Sequence, residues 1–316
     1  MISDTDSPIV RPEGQDEFLP GVIIRAFGKQ FIARTEKGNL TCSVRVNVKR
    51  DSAVDTAVVV GDNALLTQLS ETEAVIERIL PRQSAFFRPE KGLAGRKQTL
   101  AANIEQLVIV SSCSEPALKP RLIDRFVIAG DTGGLRPIVV INKADLGVSD
   151  LARTLRAGYE MIHIPAVIAS AVTGEGLERL KKLLAGGKSL FVGHSGVGKS
   201  TLLNALLPGL NLKTAELSEY SNRGRHTTTR VELHELPSGG FVLDSPGLKV
   251  LSLWKVEKKT LAQHFREFEQ FAPHCRFGDC AHIAEPDCAV REAAEKGEIP
   301  YFRYESYTHI RETLQK

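Results

Sequence analysis

From Gly21 to Leu80 apolar and polar residues alternate in short runs, GVIIRAF, KQFIARTE, LTCSVRVNV, AVVVGDNALLTQL and EAVIERIL, separated by turn-forming clusters such as EKGN and GDN. Period-two alternation is the signature of strands. Five short strands at this spacing predict a small barrel, of which the OB-fold is the commonest nucleic-acid-binding form, although a purely structural barrel would read the same way. From Ile104 to about Gly247 the text changes to apolar strand-like runs (EQLVIVSS, LRPIVVIN, IPAVIAS, SLFVG, RVELHEL, GGFVLD) interleaved with helix-like segments (KPRLIDRFVIAGDTG, DLARTLRAGYE, GLERLKKLLA, STLLNALL). That alternation predicts an α/β fold with a largely parallel sheet covered on both faces, and a ligand site beyond the C-terminal strand ends. After Leu248 the alternation stops. Near the end, IPYFRYESYTHIRETL spaces Tyr301, Tyr304, Tyr307 and Ile310 three apart, which predicts one packed helix face and no chemistry.

A length of 316 residues with 42% apolar and 25% charged residues allows two or three domains with sizeable cores. No apolar run reaches the roughly 18 to 20 residues that cross a bilayer, and MISDTDSPIVRPEGQDEF lacks the basic start and apolar stretch of a signal peptide. A cytoplasmic monomer with no membrane partner is expected. The net charge of +3 is too small to argue for nucleic acid by itself, so its distribution matters more. Residues 1–18 set Asp4, Asp6, Glu13, Asp16 and Glu17 against Arg11 and predict a disordered acidic leader. Arg78 to Lys97 carries six Lys or Arg and one acid, with two phenylalanines interleaved, which suits either a solvated linker or an RNA-facing connector.

Candidate chemistry begins with GHSGVGKST, Gly193 to Thr201, which follows the strand-like SLFV and opens a helix-like segment. In a Gly-x4-Gly-Lys-Ser loop, the glycines at 193, 196 and 198 let backbone N–H groups, those of His194, Ser195 and Val197 among them, turn toward phosphates at a helix N-terminus. Lys199 would neutralise the β and γ phosphates, which makes it a catalytic candidate, and the Ser200 hydroxyl would bind Mg²⁺. DSPG, at the end of GGFVLD, offers Asp244 to the metal through water and the Gly247 N–H to the γ-phosphate. NKAD follows PIVVI: Asp145 can accept from guanine N1–H and the exocyclic amine, Asn142 brace the loop, and Lys143 lay its stem over the base. Adenine would leave Asp145 facing an acceptor, a mismatch that can reject a ligand by roughly 10⁴-fold, so GTP is expected over ATP. SAVTG would close over the base with backbone amides at Ser170 and Ala171. In GRHTTTR one of Thr227, Thr228 and Thr229, with Thr228 as candidate, could bind Mg²⁺ and sense the γ-phosphate.

NKAD and SAVTG precede the phosphate loop, the reverse of the usual order. Strands pair by position in space, so joining old termini through AGGK, Ala185 to Lys188, and opening new ones elsewhere would give the cyclic order found. A circular permutation is therefore expected, with DSPG placed directly before the C-terminal segment. In that segment Cys275, Cys280, His282 and Cys288 form C-x4-C-x-H-x5-C, three thiolates and an imidazole suited to a closed tetrahedral Zn²⁺ site.

A barrel-like start, a permuted GTPase with GRHTTT and DSPG, and this metal motif together resemble the ribosome small subunit-dependent GTPase A family (RsgA, also called YjeQ), over nearly the whole chain from about Gly21. The resemblance implies an OB-fold over 19–82, a basic linker over 83–103, a circularly permuted P-loop GTPase domain over 104–250 and a mainly helical zinc-binding domain over 251–316. It also implies GTP hydrolysis to GDP stimulated by the small ribosomal subunit and its rRNA during late maturation. The acidic leader departs from the basic extension common in that family. Leu248 stands where many GTPases have a glutamine that orients water, and His226 is the candidate to do so instead, swung in when RNA or the subunit orders its loop. Two other readings share these motifs: a permuted GTPase with another RNA or protein partner, and a scaffold that binds GTP without turnover.

Overall fold

The computed structural model describes residues 18–49, 58–89, 97–210, 231–244, 253 and 256–314. Residues 1–17, His226, Thr228, Gly247 and Leu248, all invoked above, lie outside them.

The alternating runs form β1 (Leu19–Phe27), β2 (Gln30–Thr35), β3 (Gly38–Lys49), β4 (Asn63–Gln68) and β5 (Glu73–Ile79). They close in the order β1, β2, β3, β5, β4 and back to β1, with β3 and β5 parallel. The pairs Phe31 and Ala33, Leu40 and Cys42, Ala64 and Leu66, and Ala74 and Ile76 sit two apart on their strands and fill the interior. This is the expected alternation made physical, one face inward and one toward water.

Where a basic linker was expected, β6 (Ala85–Pro89) and β7 (Lys97–Ala102) pair as an antiparallel ribbon. Phe86 and Ala101 are fully buried in the largest core cluster. The ribbon is pinned to the barrel by Ala102 N–H donating to Val60 O at 3.0 Å, by Asn103 Nδ2 donating to Gly61 O at 2.9 Å and by a two-pronged contact from Arg82 to Asp62 (2.7 and 2.9 Å). Asp62 is fully buried. Gly61 has φ +92°, and a Cβ there would stand 1.8 Å from the Ala102 carbonyl, so only glycine allows this approach.

The second pattern gives β8 (Gln106–Ser112), α1 (Pro120–Thr132), β9 (Arg136–Asn142), α2 (Asp150–Met161), β10 (Ala166–Ile168), α3 (Leu177–Leu184), β11 (Lys188–Val192), α4 (Lys199–Leu206), β12 (Val231–Glu235) and β13 (Phe241–Asp244). The sheet runs β10, β9, β8, β11, β13, β12, parallel except for β12. All seven residues of β8 are buried because helices cover both faces. Leu107 and Ile109 point to α1 and α2, whereas Val108 and Val110 point to α3 and α4.

The two sheets are also hydrogen-bonded to each other. β12 pairs antiparallel with β1, Arg25 opposite Glu232 and Ala26 opposite Val231, so barrel and parallel sheet form a single eleven-stranded system. Arg25 bonds Glu232 across this seam, and Arg34 Nη1 donates to Glu235 at 2.8 Å.

Among the described residues the C-terminal region consists of three short 3-10 turns followed by α5 (Ala289–Glu295) and α6 (Tyr301–Thr313). Of the spaced tyrosines and isoleucine, Tyr304, Tyr307 and Ile310 are buried but Tyr301 is 54% exposed. Three residues advance about 300°, so a spacing of three drifts off the packed face within a few steps. Arg303 takes an inward position, fully buried: Nη1 donates to Asp124 of α1 at 2.6 Å and Nε to Glu267 at 2.6 Å, and the guanidinium lies 4.3 Å from the centre of the Phe265 ring. Tyr159 of α2 donates its hydroxyl to the same Asp124 oxygen at 2.7 Å.

Candidate functional site

β11 lies between β8 and β13, and the chain leaves its C-terminal end into the loop 193–198 and then α4. NKAD leaves the end of β9 and SAVTG follows β10, so three loops distant in sequence meet at one edge of the sheet. This is the crevice at strand C-termini where open α/β sheets hold ligands.

Asn142 joins all three loops. It is 1% exposed; its Nδ2 donates to Val197 O at 3.0 Å in the phosphate-type loop, and its Oδ1 accepts from Ala171 N–H at 3.3 Å in SAVTG. Gly198 makes this approach possible: at φ +87°, a Cβ there would sit 2.5 Å from Asn142 Nδ2. Ser170, also buried, donates its hydroxyl to Asp145 Oδ1 and accepts from Val172 and Thr173 N–H at 3.2 and 3.1 Å. One carboxylate oxygen is thereby fixed while the other stays free to meet a ligand edge. Lys143 is in the left-handed region (φ +66°), and its Nζ donates to Glu115 O at 2.7 Å in the loop between β8 and α1.

In the phosphate-type loop, Val197 packs into the core under α4 while His194, Ser195 and Gly196 face solvent. Lys199 donates to Gly193 O at 3.0 Å, turning its ammonium back into the mouth of the loop. Burial lowers its pKa, and the charge of Asp244 opposes that shift. Asp244 ends β13 opposite Phe191 of β11, which brings its carboxylate to the loop that Lys199 closes. Ser200, buried, and Thr201, half-buried, open α4. A hydroxyl and a carboxylate beside a phosphate-type loop are hard oxygen donors of the kind Mg²⁺ takes. Among the expected site residues, those at 142–145, 170–171, 193–201 and 244 are brought together here, and His226, Thr228 and Gly247 lie outside the described residues.

A second site lies in the C-terminal region. The ligand atoms of Cys275, Cys280, His282 and Cys288 all fall within 4.8 Å of one another. His282 Nδ1 is 3.5 Å from the sulfurs of Cys275 and Cys288, which are 4.0 Å apart. Metal–sulfur bonds of about 2.3 Å in a tetrahedron place neighbouring ligands about 3.8 Å apart, so a single metal ion fits. Burial pushes the Cys280 thiol up to about 12 and also raises Cys288, so a cation is what would hold them as thiolates. Around them Tyr304 and Tyr307 donate their hydroxyls to His282 O at 2.9 Å and Ala281 O at 2.7 Å, and Glu285 accepts from Ala281, Ile283 and Ala284 N–H, which holds its carboxyl at about 2.

Sequence reading missed the groups that position these sites: Ser112, the Glu115 carbonyl and Arg303. Two act through short-range geometry that no motif spells, and a lone arginine in a helix carries no signal of burial.

Fold and loops define a P-loop nucleotide-binding protein whose motifs run in cyclically permuted order. More narrowly, the chain belongs to the RsgA GTPase family, whose model matches residues 79–254, more than half of it. It is 40% identical over 298 residues to the small ribosomal subunit biogenesis GTPase RsgA of Gemmatimonas aurantiaca (93% of this chain, 97% of that protein), and 40% identical over 301 residues to that of Caldanaerobacter subterraneus subsp. tengcongensis (95% and 97%). Among solved structures it is similar to YjeQ from Thermotoga maritima, with 33% identity, a TM-score of 0.74 and coverage of 93% of this chain and 98% of that one. It is similar also to YloQ, described as a circularly permuted GTPase, at 26% identity and a TM-score of 0.73, covering 96% of each chain.

Proposed function

We propose that this chain binds GTP at the three-loop site and hydrolyses it to GDP and phosphate in the service of small-subunit maturation, as its relatives' name, small ribosomal subunit biogenesis GTPase, suggests. The observation that carries the reading is Asn142, whose one buried carboxamide ties the base-type loop to the phosphate-type loop and to SAVTG. In this reading Asp145 recognises guanine with SAVTG closing over the base at Ser170 and Ala171, the N–H groups of 193–201 and Lys199 hold the phosphates, and Ser200 and Asp244 hold Mg²⁺, with Thr228 and Gly247 completing the γ-phosphate end. When bound, Mg²⁺ supplies positive charge against the transferring phosphoryl oxygens. Lys199 would add positive charge against the same oxygens, and His226 would orient the attacking water in place of the glutamine that Leu248 replaces. The Cys3His cluster takes one structural Zn²⁺, which with four protein ligands leaves no position for substrate.

The reading divides the chain into an acidic leader at 1–18, an OB-type barrel at 19–82, a connecting segment at 83–103, the GTPase at 104–250 and a zinc-binding region at 251–316. The protein acts as a cytoplasmic monomer on the small subunit and its rRNA. Among the described residues no helix is long and apolar enough to cross a membrane.

Phosphate release from GTP, measured with and without purified small ribosomal subunits, tests this. Stimulation by subunits, lost in His226→Ala with subunit binding intact, is the expected result. Unchanged turnover in that variant removes His226 from the mechanism, and absence of GTP-dependent subunit association points to another partner.

A further inference from the structure

We propose that the loop joining β8 to α1 is a positioning element of the guanine site, with Ser112 and the Glu115 carbonyl as its working groups. The inference rests on the reading of Asn142 to Asp145 as the base-binding loop.

Ser112 is the last residue of β8, fully buried and opposite Asn142 in the strand register. Its hydroxyl donates to Glu115 O at 2.7 Å and accepts from Ser114 N–H at 3.4 Å, which folds the loop back on the strand end. The same Glu115 carbonyl accepts from Lys143 Nζ at 2.7 Å, so its two lone pairs are shared between a buried hydroxyl and the lysine of NKAD. Two more bonds tie the loop to this side of the site: Cys113 N–H donates to Asn142 O at 2.8 Å, and Ser149 Oγ donates to Cys113 O at 3.2 Å. One residue beyond Glu115, Pro116 reaches the phosphate-type loop, its Cδ 3.7 Å from where a Cβ on Gly196 would be. Pro116, Ala117 and Lys119 line one cavity with Gly193, His194 and Val197.

The consequence is geometric. A lysine stem lies over a base only if its ammonium is held at the far side, and a free chain with four rotatable bonds samples many other positions. Here the far anchor is a carbonyl whose place is fixed by Ser112. Asn142 connects the base side to the phosphate side from within the sheet, and the β8–α1 loop makes the same connection from outside it. Ser112 itself is fully buried at the end of β8, with its hydroxyl turned to the Glu115 carbonyl. It is a positioning residue acting through Glu115 and Lys143.

The test uses the full chain and a fluorescent GDP, with release followed by stopped flow and steady-state GTPase kinetics in parallel. In Ser112→Ala, GDP release and KM for GTP should both rise roughly tenfold, the effect of freeing one charge-assisted hydrogen bond, with no comparable fall in kcat. In a Lys143→Ala background the same substitution should add nothing, because the group it positions is gone. Pro116→Ala, on the partly exposed part of the loop, serves if Ser112→Ala does not fold, with the same expected dependence on Lys143. An equal effect of Ser112→Ala in both backgrounds, a fall in kcat alone, or wild-type release from the variants would overturn the proposal. If the wild-type chain itself shows no preference for guanine over adenine nucleotides, the base-site reading fails instead, and that outcome is separable from the others.

Discussion

At Asp145 the donor and acceptor pattern of the site can be inverted by one substitution. Ser170 donates to one carboxylate oxygen, so the other is the ligand-facing acceptor. Replacing that carboxylate with an amide presents a donor where guanine offers N–H groups. A base with a carbonyl at that edge, as in xanthine, would be matched instead. Asp145→Asn is therefore expected to weaken GDP binding by about 10³-fold or more, the cost of an unpaired polar group at a hydrogen-bonding site, while binding xanthosine diphosphate better than the wild-type chain does. Competition of each diphosphate against fluorescent GDP, or fluorescent xanthosine diphosphate for the variant, measures both halves. A variant weakened equally for both bases would place Asp145 in loop support only. The residues of this site were readable from sequence because phosphate and base recognition demand fixed residue types at fixed spacing. The Ser170 tether and the Ser112 contact were not, since each depends on where two loops meet.

Elements were legible where their periodicity was clean. The barrel strands could be read because each buries every second residue, and the parallel sheet because its strands are apolar on both faces. β6 and β7 escaped because Pro, Gly and Arg break up the stretch that holds them and, among the described residues, the inward positions are Phe86, Thr99 and three alanines. The joining of β1 to β12 escaped for another reason: edge pairing is written in backbone geometry, not in side-chain pattern. One ion pair fixes the barrel against the ribbon. Asp62, fully buried, accepts both Arg82 contacts and also Val59 N–H at 2.8 Å. Asp62→Ala takes the carboxylate away from a mostly buried guanidinium, which keeps its contact to Thr99 Oγ1 at 3.2 Å, and frees a loop N–H as well. The expected cost is about 3 kcal/mol, at the low end for breaking a buried pair because Arg82 keeps some solvent contact. Urea unfolding followed by circular dichroism should show the lower midpoint. An unchanged midpoint would mean that the bonds from Ala102 N–H and Asn103 Nδ2 suffice to hold the barrel in place.

Across the whole molecule, the metal cluster and the nucleotide site lie at opposite ends of a continuous packed path. Tyr304 and Tyr307 of α6 hold the backbone at Ala281 and His282, and one turn of the same helix carries Arg303 to Asp124 of α1. α1 in turn follows directly from the loop that takes Lys143. If the Cys3His cluster holds zinc as proposed, apparent binding energies of about 10 to 16 kcal/mol for structural zinc in small domains mean that its removal should release the 275–288 loops first. Whether loss travels further depends on Arg303, because among the described residues its guanidinium is the ion-pair partner of both buried acids, Asp124 and Glu267. Chelation of the wild-type protein is therefore expected to raise amide hydrogen exchange in α5 and α6 strongly and in α1 measurably, and to speed GDP release. Arg303→Met, similar in length but uncharged, should bring α1 to that higher exchange even with metal bound, since Asp124 then loses the partner that offsets its burial. In that variant chelation should change α5 and α6 but no longer α1. Exchange in α1 that responds to chelation equally in both proteins would show that packing around Phe265 and Tyr307, not the arginine, transmits the change.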